Sequence, residues 1–191
     1  MSIVPGVPDS LLDDAVIYSY AGASTIGHEL THGFDDEGRQ YDAHGNLKDW
    51  WTKEDGEKFK AKTELMVEQF DNYVVLDSMH INGKATLGEN IADLGGLVIG
   101  YDAFKKTKQY KVGKKINGLT PQQRFWLGYA YSWLGHYRPE TRAQQVLTDV
   151  HSPNFLRVNG PFSDIPAFYE AFGIKEGEAM WRPDNKRVKV W

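Results

Sequence analysis

Thr25-Ile-Gly-His28-Glu29-Leu30-Thr31-His32-Gly33 is the stretch on which the reading of this chain turns. On a helix, residues four apart lie one turn apart on the same face. His28 and His32 can therefore offer two imidazoles to one metal ion, near the tetrahedral geometry that zinc accepts. Glu29 puts a carboxylate beside such an ion without being needed as a ligand, which is where a base for activating water belongs. Ile26, Gly27 and Leu30 are apolar or small, which predicts a buried helix, and paired imidazoles in a buried helix need partners. One Zn²⁺ per chain is the expected partner.

Two histidines do not complete a catalytic zinc site, which usually has three protein ligands and an open position. Gly88-Glu89-Asn90-Ile91-Ala92-Asp93 offers the third. Glu89 and Asp93 are four apart and share a helix face, so one can bind metal while the other accepts the N–H of a ligand histidine. Thr86-x-x-Glu89 also has capping-box spacing, so Glu89 alone reads either as a cap or as a ligand. The upstream histidine pair favours the ligand. His44, His80 and His136 show no ligand spacing and read as surface or core groups.

Helical signals extend on both sides. Asp13 or Asp14 can cap a first helix that runs to His32, with Gly33 as its stop. Gly38 and Gly45-Asn46 mark a turn-rich segment. Thr52-Lys-Glu-Asp55 opens a second helix carrying Phe59, Leu65, Met66 and Phe70, and a third starts between Thr86 and Glu89 and ends near Phe104. Thr120-Pro121-Gln-Gln123 opens a fourth with Phe125, Trp126, Tyr129 and Trp133. A fifth covers Pro139–Val150 and a sixth Pro166–Phe172, while Arg187–Trp191 alternates as a strand would. The fold class is mainly α, a helical bundle around the His-Glu-x-x-His helix with little sheet.

With 191 residues and 41% hydrophobic content, the chain can bury a core as a single domain, 1–191. A net charge of -4 without a concentrated basic face argues against a nucleic-acid partner. Cysteine is absent, which excludes disulfides, thiolate zinc sites and a cysteine nucleophile. No run of about 18 apolar residues could form a transmembrane helix, and the first residues lack the pattern of a signal peptide.

His28-Glu-Leu-Thr-His-Gly-Phe-Asp-Asp-Glu-Gly-Arg39, followed by Asp49-Trp-Trp51, resembles the neprilysin and endothelin-converting-enzyme family of zinc endopeptidases. So do Gly88-Glu-Asn-Ile-Ala-Asp-Leu-Gly-Gly96, Tyr137-Arg-Pro-Glu140, Asp149-Val-His-Ser-Pro153 and the terminal Lys-Val-Trp191. The resemblance implies a thermolysin-like zincin catalytic domain, its C-terminal portion, that hydrolyses oligopeptides. It implies His28, His32 and Glu89 as metal ligands, Glu29 as base and Asp93 as the carboxylate behind a ligand. It further implies His151 as a transition-state hydrogen-bond donor and Arg157 as a grip on the substrate carbonyl, with Asp149 orienting His151.

Departures from the family pattern carry their own expectations. Animal relatives have cysteines where this chain has Leu65, Leu134, Ile174 and Val188, which points to a bacterial member, in the cytoplasm or at the periplasm or cell surface. Thr25 and Ser132, beside Trp133, stand where relatives build the S1′ wall, and the pocket is expected to prefer apolar P1′ side chains. Relatives are several times longer and carry an upstream edge strand and a large helical lobe. Val4-Pro-Gly-Val7 resembles the segment just after that strand, so the expectation is a chain that needs an N-terminal lobe or partner chain.

Overall fold

The computed structural model describes residues 12–189. Asp13 caps the first helix by accepting the Ala15 N–H. Helix α1 (Asp14–Ile17), a π-helical segment (Tyr18–Gly27) and α2 (His28–His32) then run on without a break in helical backbone. This is the helix expected from the sequence, except that its middle has i→i+5 pairing, a geometry frequent near functional sites. Gly33 follows it with φ -62°, so the helix does not end on a left-handed glycine.

Thr52 caps α3 (Lys53–Asp71) through the Asp55 N–H. A short antiparallel hairpin, β1 (Val74–Leu76) and β2 (Met79–His80), leads to α4 (Leu87–Lys105). Helices α5 (Lys108–Val112) and α6 (Pro121–Ser132) follow, α6 with its capping box of Thr120 and Gln123 in place. The last three are α7 (Pro139–Thr148), α8 (Asn154–Phe162) and α9 (Pro166–Phe172). The hairpin is the only sheet among the described residues.

Backbone contact sets the spacing between the helix that carries His28 and His32 and the helix that carries Glu89. A Cβ on Gly96 would lie 2.5 Å from the Ala23 carbonyl oxygen and 2.7 Å from the His28 nitrogen, and one on Gly100 would lie 2.6 Å from the Ala23 Cβ. Only glycine lets α4 cross the π segment and α2 this closely. On the other side of α4, Tyr101 stacks on Trp126 at 4.9 Å and Phe104 on Phe125 at 5.5 Å, forming with Phe162 and Phe168 the centre of the core. Each such ring contributes about 1.5–3 kcal/mol of burial.

Three expectations need correction. The histidine helix is not buried all round: its inner row is Ala15, Ser19, Ala23, Gly27 and Thr31, whereas Ile26 and Leu30 are each 60% exposed. Apolar identity predicted burial, but backbone packing against α4 demanded small residues on the inner face instead. Arg187–Lys189 forms no strand: its Val188 N–H is taken by the Asp164 side chain. Val190, Trp191 and the Val4–Val7 segment lie outside the described residues. Helix α8 was not expected, because Pro153 and Pro161 bracket it; Pro161 is nevertheless accommodated in its last turn.

Candidate metal centre

Helix α2 carries His28 and His32, and the first turn of α4 carries Glu89. The close crossing brings them together. His28 Nε2 and His32 Nε2 are 3.1 Å apart, His28 Nε2 and Glu89 Oε2 3.3 Å, and His32 Nε2 and Glu89 Oε1 3.6 Å. The edge of a zinc tetrahedron with metal–ligand bonds of about 2.0–2.1 Å is about 3.3 Å. The three groups therefore fit a zinc ion, and they are the only such cluster of His, Cys, Asp and Glu among the described residues. The alternative of Glu89 as a cap is not realised: Thr86 makes no side-chain cap, and its hydroxyl donates to the Asn82 carbonyl.

Asp93, one turn on and 1% exposed, sits behind the cluster. Its Oδ1 lies 3.0 Å from His28 Nδ1, an oblique ion-pair contact rather than a straight hydrogen bond. Arg157 donates to both Asp93 oxygens, at 2.7 Å through Nε and 2.8 Å through Nη2, and reaches Glu89 at 3.4 Å. Its guanidinium carbon lies 4.1 Å from the Trp133 ring centre, and Tyr129 donates to Asp93 from the far side at 3.4 Å. Arg157 is thus buried beneath Trp133, with Nη1 outside these pairs.

Burial alone would depress His28, but Asp93 and Glu89 outweigh it and hold its imidazolium up to about 9. Burial alone would raise Glu89, but His28, His151 and Arg157 hold its carboxyl below the usual range. A cation held by His28 would take the place of its proton among the same carboxylates, since metal ligands must be deprotonated.

His151 comes from the loop before α8. Its Nε2 is 3.2 Å from Glu89 Oε2, and its Nδ1 and backbone N–H reach Asp149 Oδ1 at 2.8 and 2.9 Å. Glu29, next to His28, is exposed, as is Thr25, three residues before His28. Ser132 spends its hydroxyl on the Tyr129 carbonyl, so it presents less polarity than its identity suggested. His44, His80 and His136 do not join the cluster; His80 Nδ1 lies 2.8 Å from the Asp71 carbonyl.

One member of the site was missed in the sequence. Asp35 Oδ2 lies 2.7 Å from His32 Nδ1, while its Oδ1 accepts the Glu37 and Gly38 N–H groups. Each histidine thus has its own buried carboxylate. The signal was present as a carboxylate three residues beyond His32, past the helix end where helical spacing stops being a guide.

A helical scaffold that crosses a His-Glu-x-x-His helix with a Glu-x-x-x-Asp helix defines the zincin class of metallopeptidases. Residues 5–188 match the family model described as Peptidase family M13, and the chain belongs to that family. It is 41% identical to neprilysin-1 of Caenorhabditis elegans over 96% of its length, and 44% identical to human endothelin-converting enzyme 1 over 87%. It spans 25% and 22% of those relatives' lengths. Among solved structures, it superposes on the Mycobacterium tuberculosis zinc metalloprotease Zmp1, determined in complex with an inhibitor, with a TM-score of 0.88 and 38% identity. That match covers 98% of this chain and 29% of the other.

Proposed function

We propose that this chain is the catalytic portion of a zinc endopeptidase that cleaves oligopeptides. The observation that carries the reading is the convergence of His28, His32 and Glu89 with separations of 3.1–3.6 Å, the edges of a zinc tetrahedron. His28, His32 and Glu89 would hold a zinc ion there, and the chemistry it would supply when bound is Lewis-acid polarisation of the scissile carbonyl and acidification of a water. Glu29 takes the proton from that water and delivers it to the leaving amine. His151, whose Nε2 lies 3.2 Å from Glu89 Oε2, is the donor to the negative charge that grows on the carbonyl oxygen, where a hydrogen bond contributes most. Asp149 holds the ring by Nδ1. Asp93 and Asp35 orient the two ligand histidines. Arg157 clamps Asp93 and Glu89 in place, and Nη1, outside those bonds, is the atom with which it grips a substrate carbonyl. Trp133 and Thr25 contribute to a pocket for an apolar P1′ side chain.

The active enzyme includes an N-terminal lobe or partner chain, in keeping with relatives about four times as long. The test separates ligand from base. His28→Ala or His32→Ala should abolish zinc binding, read by metal analysis. Glu29→Gln should retain zinc and lose hydrolysis of a quenched fluorescent peptide by about 10²–10⁴-fold. Near-normal turnover by Glu29→Gln would overturn the mechanism.

A further inference from the structure

His151 and Asp149 form a couple at the solvent edge, with side chains 43% and 40% exposed. Because Asp149 lies in the same loop, it fixes the ring relative to the loop but not the loop relative to the metal ligands. A second, buried contact does that. Ser152, 0% exposed, donates its hydroxyl hydrogen to Asn90 Oδ1 at 2.7 Å. Asn90, 1% exposed, directly follows the ligand Glu89 on α4. Its Nδ2 donates to Thr86 Oγ1 at 2.9 Å, and Thr86 donates in turn to the Asn82 carbonyl at 3.1 Å. The amide of Asn90 is thereby oriented with its oxygen toward Ser152, and each member of the chain is satisfied. The same anchor starts α8, since the Pro153 carbonyl accepts the Leu156 and Arg157 N–H groups.

We propose that Asn90 and Ser152 are positioning residues whose buried hydrogen bond sets the distance of the His151 ring from the metal ligands. The proposal rests on the peptidase reading of this site. Breaking the bond frees the loop to shift by a fraction of an ångström to an ångström, and a misplacement of about 1 Å can cost about 10²-fold. A buried serine acting only as core packing would instead affect stability and leave His151 where it is.

The experiment uses the zinc-loaded chain and N-phosphoryl-Leu-Trp, whose phosphoryl oxygens imitate the tetrahedral intermediate. Ser152→Ala should weaken binding by about tenfold, with zinc content unchanged. The double variant Ser152→Ala/His151→Ala should bind no more weakly than His151→Ala alone, because Ser152 acts through His151. In protein labelled with nitrogen-15 histidine, Ser152→Ala should shift the ring signals of His151 but not those of His28 and His32. Ser152→Thr, which keeps the hydroxyl, should restore both readouts, and Ser152→Cys replaces the alanine variant if that fails to fold. Multiplicative losses in the double variant, or unchanged His151 signals, would overturn the proposal. If the parent binds neither zinc nor the phosphoramidate, the peptidase reading itself has failed, and the ring signals alone decide whether Ser152 holds His151.

Discussion

Asp93 serves His28, Arg157 and Tyr129 at once. Its replacement by alanine should weaken zinc affinity by about 10–100-fold without removing the site, measured by competition with a chelator. Asp35→Ala should cost about tenfold by the same assay, because His32 loses its only carboxylate behind the ring. The first effect could be foreseen from the i, i+4 spacing of Glu89 and Asp93; the second could not, because Asp35 reaches back from a turn whose path no periodicity encodes. Asp164 gives a separate test. Burial pushes its carboxyl to about 6, with the Val188 N–H and Arg182 drawing it only part of the way back. Between about pH 4 and 6 the folded chain keeps a proton that the unfolded chain has lost, so this group makes stability fall as pH rises. The interval is worth about 3 kcal/mol at about 1.4 kcal/mol per pH unit. Urea unfolding at pH 4.5 and 6.5 should show that decline in the parent and a flatter profile in Asp164→Asn.

Glycines of α4 meet the π segment and α2 at backbone distance, with only the small side chains of Ala23 and Thr31 beside them, and alanine at position 96 has nowhere to go. Gly96→Ala should destabilise the fold by about 3 kcal/mol or more and weaken zinc binding with it, because the neighbours that must move are the Ala23 carbonyl and the His28 backbone. Gly33→Ala, at φ -62° with its nearest neighbour at 3.5 Å, should change thermal stability by no more than about 0.5 kcal/mol. These two glycines look alike in the sequence. Helix starts were legible at three side-chain caps, Asp13, Thr52 and Thr120, which all cap as expected, but not at Thr107, whose hydroxyl caps the short α5. Helix α8 was not legible, since its start has no side-chain cap and its proline at 161 reads as a breaker. The i→i+5 pairing of Tyr18–Gly27 has no local signature either; only the crossing helix gives the small residues Ala23 and Gly27 their meaning.

Across the molecule, His28, His32, Glu89, Asp93, Asp35 and His151 are all held by one chain. Val16, Tyr20, Ile26, Leu30 and Phe34 leave apolar side chains between 46% and 60% exposed along the first helix and just beyond it. Exposed apolar side chains in that number favour association. The chain by itself should therefore bind zinc yet associate in sedimentation experiments, and cleave a fluorescent peptide weakly. Adding the upstream portion of a longer relative should restore cleavage, and full turnover by a monomer would contradict this. The backbone-to-backbone crossing has one more consequence, for how such a protein can change over time. Since Gly96 and Gly100 present no side chain to Ala23, the separation of His28 from Glu89 is set at this crossing rather than by the aromatic core beyond α4. Drift at Phe104, Phe125 or Trp126 should change how much of the population is folded, while each folded molecule keeps the same spacing of His28, His32 and Glu89. A lineage can thus retune thermal tolerance through one set of positions while its chemistry stays under selection at another.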